Sequence, residues 1–195
     1  MLIATYALST FSVEQKKERS FIRSIQQYMQ TNWQHLDPLR LESHLNALTR
    51  FSESRQQRRV AGALMPAVRR ATRDADLLLA DLDTLRRAGC ELLRLVRRSL
   101  RCALSALQIE TLRQSMERYC QNLLQRLAKE EQELLPLARR VMSSDDWFAL
   151  GSTLLSHDAS GDKAPGQEIG QLATRRNGAV VAARIRQGSR AEISN

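Results

Sequence analysis

Apolar residues recur every three or four positions along four long stretches of this sequence, and that spacing constrains the fold more than any other feature. Residues so spaced share one face of an α-helix. Four amphipathic helices joined by short connections predict an all-α, up-down four-helix bundle. The four faces contain Phe21, Ile22, Ile25, Tyr28 and Met29; Leu41, Leu45, Leu48 and Phe51; Leu77, Leu78, Leu82, Leu85, Leu92, Leu95, Val96 and Leu100; and Leu123, Leu127, Leu134, Leu137 and Val141.

Capping and helix-breaking residues predict where the first two helices begin and end. Ser12 is a predicted N-cap for the first helix, and residues 32–38 form a connection. Pro38, preceded by Asp37, suits the first turn of the second helix. Within the second stretch, Pro66 predicts a kink or a break, because proline lacks the N–H that an α-helix requires.

Similar signals define the remaining helices. The third is predicted from about Thr72 or Asp74 to Cys102, with a weak point at Gly89, and the fourth from residue 108 to residue 142. Ser143 or Ser144 caps a short fifth helix over residues 145–155, in which Asp145 and Asp146 are first-turn acids. Three of its side chains are expected to pack on the bundle: Trp147, Phe148 and Leu150.

The composition changes after residue 157, where the chain becomes rich in glycine and poor in large apolar side chains. Basic residues outnumber acidic ones in this tail. A segment of this kind buries too little apolar surface to fold alone. The sequence therefore predicts a bundle domain over residues 1–157 and a basic, disordered tail over residues 158–195.

Cysteine content and hydropathy bear on location. The three cysteines, Cys90, Cys102 and Cys120, form no C-x-x-C pair, which favours a reducing compartment over a disulfide framework. The apolar N-terminus lacks a positive leading region, and no run of 18 apolar residues occurs. These features predict a cytoplasmic protein without a membrane span.

The formal net charge of +9 comes mainly from arginine and is compatible with nucleic acid, an acidic partner or an anionic surface. Neighbouring arginines diverge by about 100° on a helix, so paired arginines spread charge around a bundle. Few aromatic residues accompany them to stack on bases. A protein partner or a homodimer is therefore favoured over nucleic acid. The pairs are Arg58-Arg59, Arg69-Arg70, Arg86-Arg87, Arg97-Arg98 and Arg139-Arg140.

Glu130 falls on the apolar face of the fourth helix, where a carboxylate needs a partner if it is buried. One interpretation is a buried ion pair with Arg126 one turn earlier, or with Arg58 or Arg59 of the second helix. The alternative is that Glu130 leans to the surface beside Lys129. We treat these as equal possibilities at this point.

The run KEEQELLPLARRVMSSDDW, residues 129–147, resembles the last helix of bacterial hemerythrin-like proteins, a family of cation-binding four-helix bundles. The similarity rests on an acidic pair, an apolar pair before proline, and an acid-acid-Trp ending. Residues 45–52 and 64–70 have the spacing of the family's second helix. With these pieces the resemblance covers about residues 12–155. The matching residues are Glu130-Glu131, Leu134-Leu135-Pro136 and Asp145-Asp146-Trp147.

The resemblance implies a di-iron site held by histidines and carboxylates, but most of its ligands are missing here. The family's histidine in the last helix falls on Arg126, and only its glutamate is retained, as Glu130. The family's Glu-His pair of the first helix falls near residues 18–20, where Glu18 is present without a histidine. The corresponding positions of the second and third helices fall near residues 58–62 and 85–87, and none is histidine. Since a guanidinium repels a cation, we expect no metal and no other cofactor.

No catalytic arrangement is evident, which predicts a protein that is not an enzyme. The chain has three histidines, His35, His44 and His157, and none has a second ligand one helical turn away. The prediction is a non-catalytic hemerythrin-like bundle that has lost its di-iron site and acts as a regulatory or protein-interaction module. The alternatives are a metal- or oxygen-sensing protein of that family and a basic nucleic-acid-binding protein.

Overall fold

The computed structural model describes residues 2–31, 37–101 and 106–159, and this part of the chain is all-helical, as predicted. Two π-helical segments connect α-helices without interruption, so the described elements form five continuous helical stretches. None of these helices is both long and apolar enough to cross a membrane. The elements are α1 (Leu2–Thr31), α2 (Pro38–Ser54), π1 (Arg55–Leu64), α3 (Met65–Ala71), α4 (Asp76–Arg101), α5 (Ala106–Lys129), π2 (Glu130–Leu134), α6 (Leu135–Val141) and α7 (Ser144–Ala159).

Two helix starts follow the predicted capping. The Asp37 side chain accepts hydrogen bonds from the backbone N–H groups of the two residues after Pro38, which lies in the first turn of α2. Ser143 caps α7: the Asp146 N–H donates to Ser143 Oγ at 3.2 Å, and the Ser143 N–H donates to Asp146 Oδ2 at 3.2 Å. This reciprocal pair is a capping box with aspartate in the glutamate position.

The first helix begins ten residues earlier than predicted. It starts at Leu2, and Ser12 lies inside it. The reason is tertiary: α1 packs on α7, which covers the buried side chains of Ala7 and Phe11. The contact is close at Gly151, where an added Cβ would lie 2.5 Å from Ile3 Cγ2.

Both prolines in the middle of helical stretches lie directly after a π-helical segment. Pro66 follows π1 and Pro136 follows π2, each in the first turn of the next α-helix. In an α-helix the proline ring collides with the carbonyl four residues earlier, and a wider π turn removes that collision. The prediction was a kink or a break at Pro66. The helix is not broken there, because the five-residue hydrogen-bonding pattern before Pro66 accommodates the ring.

Two apolar cores fill this part of the chain. Buried residues of the first core are Ala7, Phe11, Val60, Leu64, Ala67, Val68, Ala75, Leu79, Leu82, Leu134, Ala138, Met142, Trp147, Leu150 and Leu154. Those of the second core are Ile22, Ile25, Met29, Leu41, Leu45, Leu48, Leu93, Val96, Leu112, Met116, Tyr119, Cys120, Leu123 and Leu127. The helical stretches that begin at α1, α2, α4 and α5 each pass from one core to the other. The buried residues between the two cores are mostly polar.

The predicted apolar face of the third helix is partly wrong. Leu77 and Leu95 are exposed, whereas Leu79 and Leu93 are buried. The helix has leucines around most of its circumference, so several faces are almost equally apolar, and packing against its neighbours selects one of them. Phe148 was expected to pack on the bundle but is 61% exposed, although Trp147 and Leu150 are buried as predicted.

Candidate functional site

A buried charge layer lies between the two cores and contains Gln15, Glu18, Ser52, Arg55, Arg126 and Glu130. The layer draws on α1, α2, π1, α5 and π2, and all six residues are at least 95% buried. Its four charged residues are two carboxylates and two guanidiniums, so their formal charges cancel. Burial of this kind is costly unless the charges are paired and hydrogen-bonded.

Glu18 of α1 is the acceptor for three of these residues. Its Oε1 accepts from Ser52 Oγ at 2.8 Å and from Arg126 Nη2 at 2.5 Å, and its Oε2 accepts from Arg55 Nε at 2.7 Å. Arg126 Nη2 also donates to Ser52 Oγ at 3.1 Å. The carboxylate thus holds three helical stretches together at one level.

Glu130 occupies the other side of Arg55. Its Oε2 accepts from Arg55 Nη2 at 2.7 Å and from Gln15 Nε2 at 3.5 Å. Arg126 Nε lies 3.4 Å from Glu130 Oε1, an ion pair without hydrogen-bond geometry. Arg55 therefore bridges the two glutamates, and Arg126 makes a second connection between them.

The electrostatics of the layer favour the charged forms. Burial raises the pKa of Glu18, but the charges of Arg55 and Arg126 and the hydrogen bonds to its oxygens outweigh burial and hold that pKa below its usual value. Burial lowers the pKa of Arg55, and its two glutamate partners more than compensate, so its pKa lies above the usual value. Glu18 and Arg55 are therefore each stabilised in the ionised form by their charged partners.

The layer does not fit the di-iron site that the resemblance implies. Such a site needs about six inward-facing histidine and carboxylate ligands. Within the described residues, no three His, Cys, Asp or Glu side chains are grouped so that they could hold a metal ion. Two guanidiniums occupy the space between the carboxylates, and their permanent positive charge opposes a cation there.

The structure places two of the four candidate residues in the layer and two outside it. The interpretation of Glu130 as buried and paired with Arg126 is confirmed, and the alternative, in which it leans to the surface, is wrong. Arg58 is exposed, and Arg59 forms an ion pair with Glu14. The second-helix partner is Arg55 instead, one turn before the expected position.

Four residues of the layer were not among the candidate residues, although the sequence contained a signal for the last three: Gln15, Glu18, Ser52 and Arg55. The apolar face of α2, Leu41, Leu45 and Leu48, continues at the same helical spacing through Ser52 and Arg55. This continuation is hard to recognise because both residues are polar and lie in a largely polar segment. Glu18 lies in the same way between Phe11 and Ile22 on the buried face of α1.

A small cavity of about 60 Å³ adjoins the layer, lined in part by Ser52, Gln56, Tyr119 and Arg126. Burial raises the pKa of Tyr119 to about 12, which keeps its hydroxyl protonated at neutral pH. The side-chain oxygen of Gln56, Oε1, is buried and makes no hydrogen bond among the described residues. A cavity of this size is large enough for ordered water beside its polar atoms, which include Gln56 Oε1.

The cysteines and histidines named in the sequence analysis do not contribute to the layer where the structure describes them. Burial raises the pKa of the Cys120 thiol to about 12, so it is a poor nucleophile, and Cys90 is exposed. His44 is half-buried and stacks on Tyr28 with ring centroids 5.4 Å apart. Cys102, His35, the side chain of His157 and the predicted tail from residue 160 onward lie outside the described residues.

Comparisons with models of protein families, with curated proteins and with solved structures find no match to this chain. The site must therefore be interpreted from its own geometry, which combines two buried carboxylates with two buried guanidiniums.

Proposed function

We propose that this protein is a non-catalytic, metal-free helical bundle of the hemerythrin-like kind that acts as a regulatory or protein-interaction module. The observation that carries the proposal is the buried charge layer, in which Arg55 and Arg126 supply the positive charge between Glu18 and Glu130. A bundle organised in this way needs no metal to neutralise its inward carboxylates.

The helix contacts support the four-helix part of the proposal. Contacts link α1 to α2, α2 to α4, α4 to α5, and α5 back to α1. A closed ring of sequential neighbours is the arrangement of an up-down bundle. In this interpretation π1 with α3, and π2 with α6, extend the second and fourth members, and α7 packs on α1.

The positions of the charged residues support a lost metal site. Arg126 and Glu130 stand where the resemblance places a histidine and a glutamate, and Glu18 stands where it places a glutamate of the first helix. All three belong to one hydrogen-bonded cluster, as residues derived from one ancestral site would. Replacement of a metal by guanidinium conserves the charge balance while it removes redox chemistry.

A non-catalytic role is consistent with the chemistry of the layer. The pKa of Glu18 lies below its usual value and that of Arg55 lies above its usual value, so both side chains stay ionised at neutral pH, whereas a general acid or base needs a pKa near the working pH. The six residues of the layer include no thiol and no imidazole. Its contribution is structural, so function resides on the outer surface of the helices.

The direct test is elemental analysis of the full chain, purified from cells grown with added iron, by mass spectrometry. We expect less than one tenth of an iron per chain and an unchanged melting temperature after treatment with a chelator. The Arg58→Lys variant, which is altered at an exposed residue, is purified and measured in the same way as a control for metal acquired during purification. One or two irons per chain, or a chelator-induced loss of stability, would overturn the proposal.

A further inference from the structure

The C-terminal two-thirds of α4 is unusually rich in arginine. Residues 84–101 contain six arginines and one acid, Glu91, so this segment has a net charge of +5. Five of the six are exposed, and Arg86 is half-buried. The arginines are Arg86, Arg87, Arg94, Arg97, Arg98 and Arg101.

Four of these arginines form one stripe. At 100° per residue, Arg87, Arg94, Arg98 and Arg101 fall within an arc of about 60° on α4 and span about 21 Å along its axis. Reading the arginines as adjacent pairs, which diverge, hides this alignment, because the stripe joins members of different pairs. We call these four residues the arginine stripe.

The charges around the stripe concentrate its positive field at one end. Arg87 Nε lies 3.2 Å from Asp83 Oδ2, so that end is partly neutralised. Beside the other end lies an open groove of about 540 Å³ whose two arginines and two glutamates cancel in charge: Arg50, Arg97, Glu42 and Glu53. Residues 92–101 of α4 contain four arginines and no acid, so this end of the helix carries most of the positive charge of the segment.

We propose that the arginine stripe binds the phosphate backbone of a nucleic acid. The guanidinium forks of arginine match phosphate oxygens in bidentate geometry. The roughly 10 Å from Arg94 to Arg101 corresponds to about three phosphates, given one phosphate per 3.4 Å of axis on each strand. A continuous row of phosphates supplies the complementary charge along the whole stripe.

The composition of the face favours a phosphate backbone over a protein. A protein interface has an apolar centre from which charged residues are depleted. The exposed residues of this segment that flank the stripe include Cys90 and Glu91, each about 20° outside its arc, and Leu95 lies about 60° outside it. Residues 84–101 contain no aromatic side chain to stack on bases, so we expect binding without sequence preference.

This inference goes beyond the proposed function and is independent of it. A chain that binds duplex DNA yet contains iron would overturn only the metal-free proposal. A metal-free chain that does not bind DNA would overturn only the arginine stripe.

The test measures binding of the full chain to a labelled 20-base-pair DNA duplex by fluorescence anisotropy at salt concentrations from about 50 to 200 mM. The test variant carries Arg94→Gln, Arg98→Gln and Arg101→Gln. The matched control carries Arg23→Gln, Arg139→Gln and Arg140→Gln, three exposed arginines of α1 and α6 that change the net charge equally. Thermal melts establish that both variants are folded.

We expect the stripe variant to bind at least about tenfold more weakly at low salt, and the slope of log K against log salt to fall by about 2.7, at 0.9 per lost phosphate contact. The control variant should remain within about twofold of the parent protein in affinity, because its arginines lie off the stripe. This result would also show that net charge alone does not explain binding.

Three results would overturn the inference. The parent chain could fail to bind at low salt, or the control variant could weaken binding as much as the stripe variant. Polyglutamate could also displace the duplex at an equal concentration of charge, which would point to an acidic protein as the partner instead of phosphate.

Discussion

The buried charge layer and the surface of α4 contain ion pairs of the same length that differ in their importance for the stability of the fold. Arg55 Nε lies 2.7 Å from Glu18 Oε2, and Arg86 Nη2 lies 2.7 Å from Asp83 Oδ1. The first pair is 1% and 0% exposed, whereas the second is 37% and 41% exposed. The distance between the charged atoms therefore does not predict how much each pair contributes to stability. Loss of one buried partner leaves a charge without water, while loss of one surface partner leaves a charge that water solvates.

The largest effect should follow from Arg55→Met, which leaves two buried carboxylates, Glu18 and Glu130, with Arg126 as the one guanidinium of the layer. We expect it to lower the free energy of unfolding by about 3–5 kcal/mol. Urea denaturation followed by circular dichroism measures this change. Arg58→Met, an exposed residue of the same π-helical segment, is the matched control and should cost no more than about 0.5 kcal/mol. Equal losses in the two variants would contradict the comparison.

Replacement of the whole layer should have a smaller effect of the opposite sign. A variant with Gln15→Leu, Glu18→Leu, Ser52→Ala, Arg55→Met, Arg126→Met and Glu130→Leu leaves no unpaired charge or polar side chain at these positions. We expect its free energy of unfolding to equal that of the parent chain or exceed it by about 1–4 kcal/mol. A variant as unstable as Arg55→Met alone would show that the cost arises from packing volume instead of charge.

Acid should weaken the layer through Glu18. Its folded pKa is lower than the ordinary value of 4.5, so its contribution to stability is complete above pH 4.5 and is lost as the pH falls toward the folded pKa. The difference in unfolding free energy between the parent chain and Glu18→Gln should therefore narrow between pH 5 and pH 3. The same difference for Glu133→Gln, which is half exposed, should stay small throughout. A constant difference for Glu18→Gln would refute this assignment.

The smallest effect should follow from Asp83→Asn on α4. The two arginines that contact Asp83, Arg86 and Arg87, remain solvated when the carboxylate is removed. We expect a loss of about 0.5 kcal/mol or less, reduced further by salt. A series of urea denaturations at increasing salt concentration measures both quantities. A loss comparable with that of Arg55→Met would mean that burial does not separate the two classes of ion pair.

Helical periodicity predicted the class of the fold but not every face or end of its helices. Spacing identified the buried positions Leu45, Leu123 and Leu127 because each of these helices has a single apolar face there. It failed on α4, where leucines surround the helix and neighbouring elements decide which face is buried. It also failed at the start of α1, because the packing partner of that segment lies more than 130 residues later in the chain.

The sequence predicted two of the six residues of the candidate site for a similar reason. Glu130 was recognisable because one acid interrupts a long apolar face, and Arg126 lies one turn before it. Arg55 was not recognised because it lies in a segment with many polar residues, where the apolar face is hard to follow. The π-helical segment that begins at Arg55 also changes the angular spacing of the residues after it, so α-helical periodicity does not place Arg58 and Arg59 correctly.

The alternation of core, layer and core has a consequence for how the helices align along their axes. Leucines in the two cores are chemically similar, so each core alone would tolerate a helix displaced by one turn, about 5.4 Å. The same displacement of α1 would move Glu18 into an apolar core and away from both arginines, at a cost of several kcal/mol. Only one axial register brings all four charges to the same level. The layer therefore selects a single alignment from several that hydrophobic packing would accept.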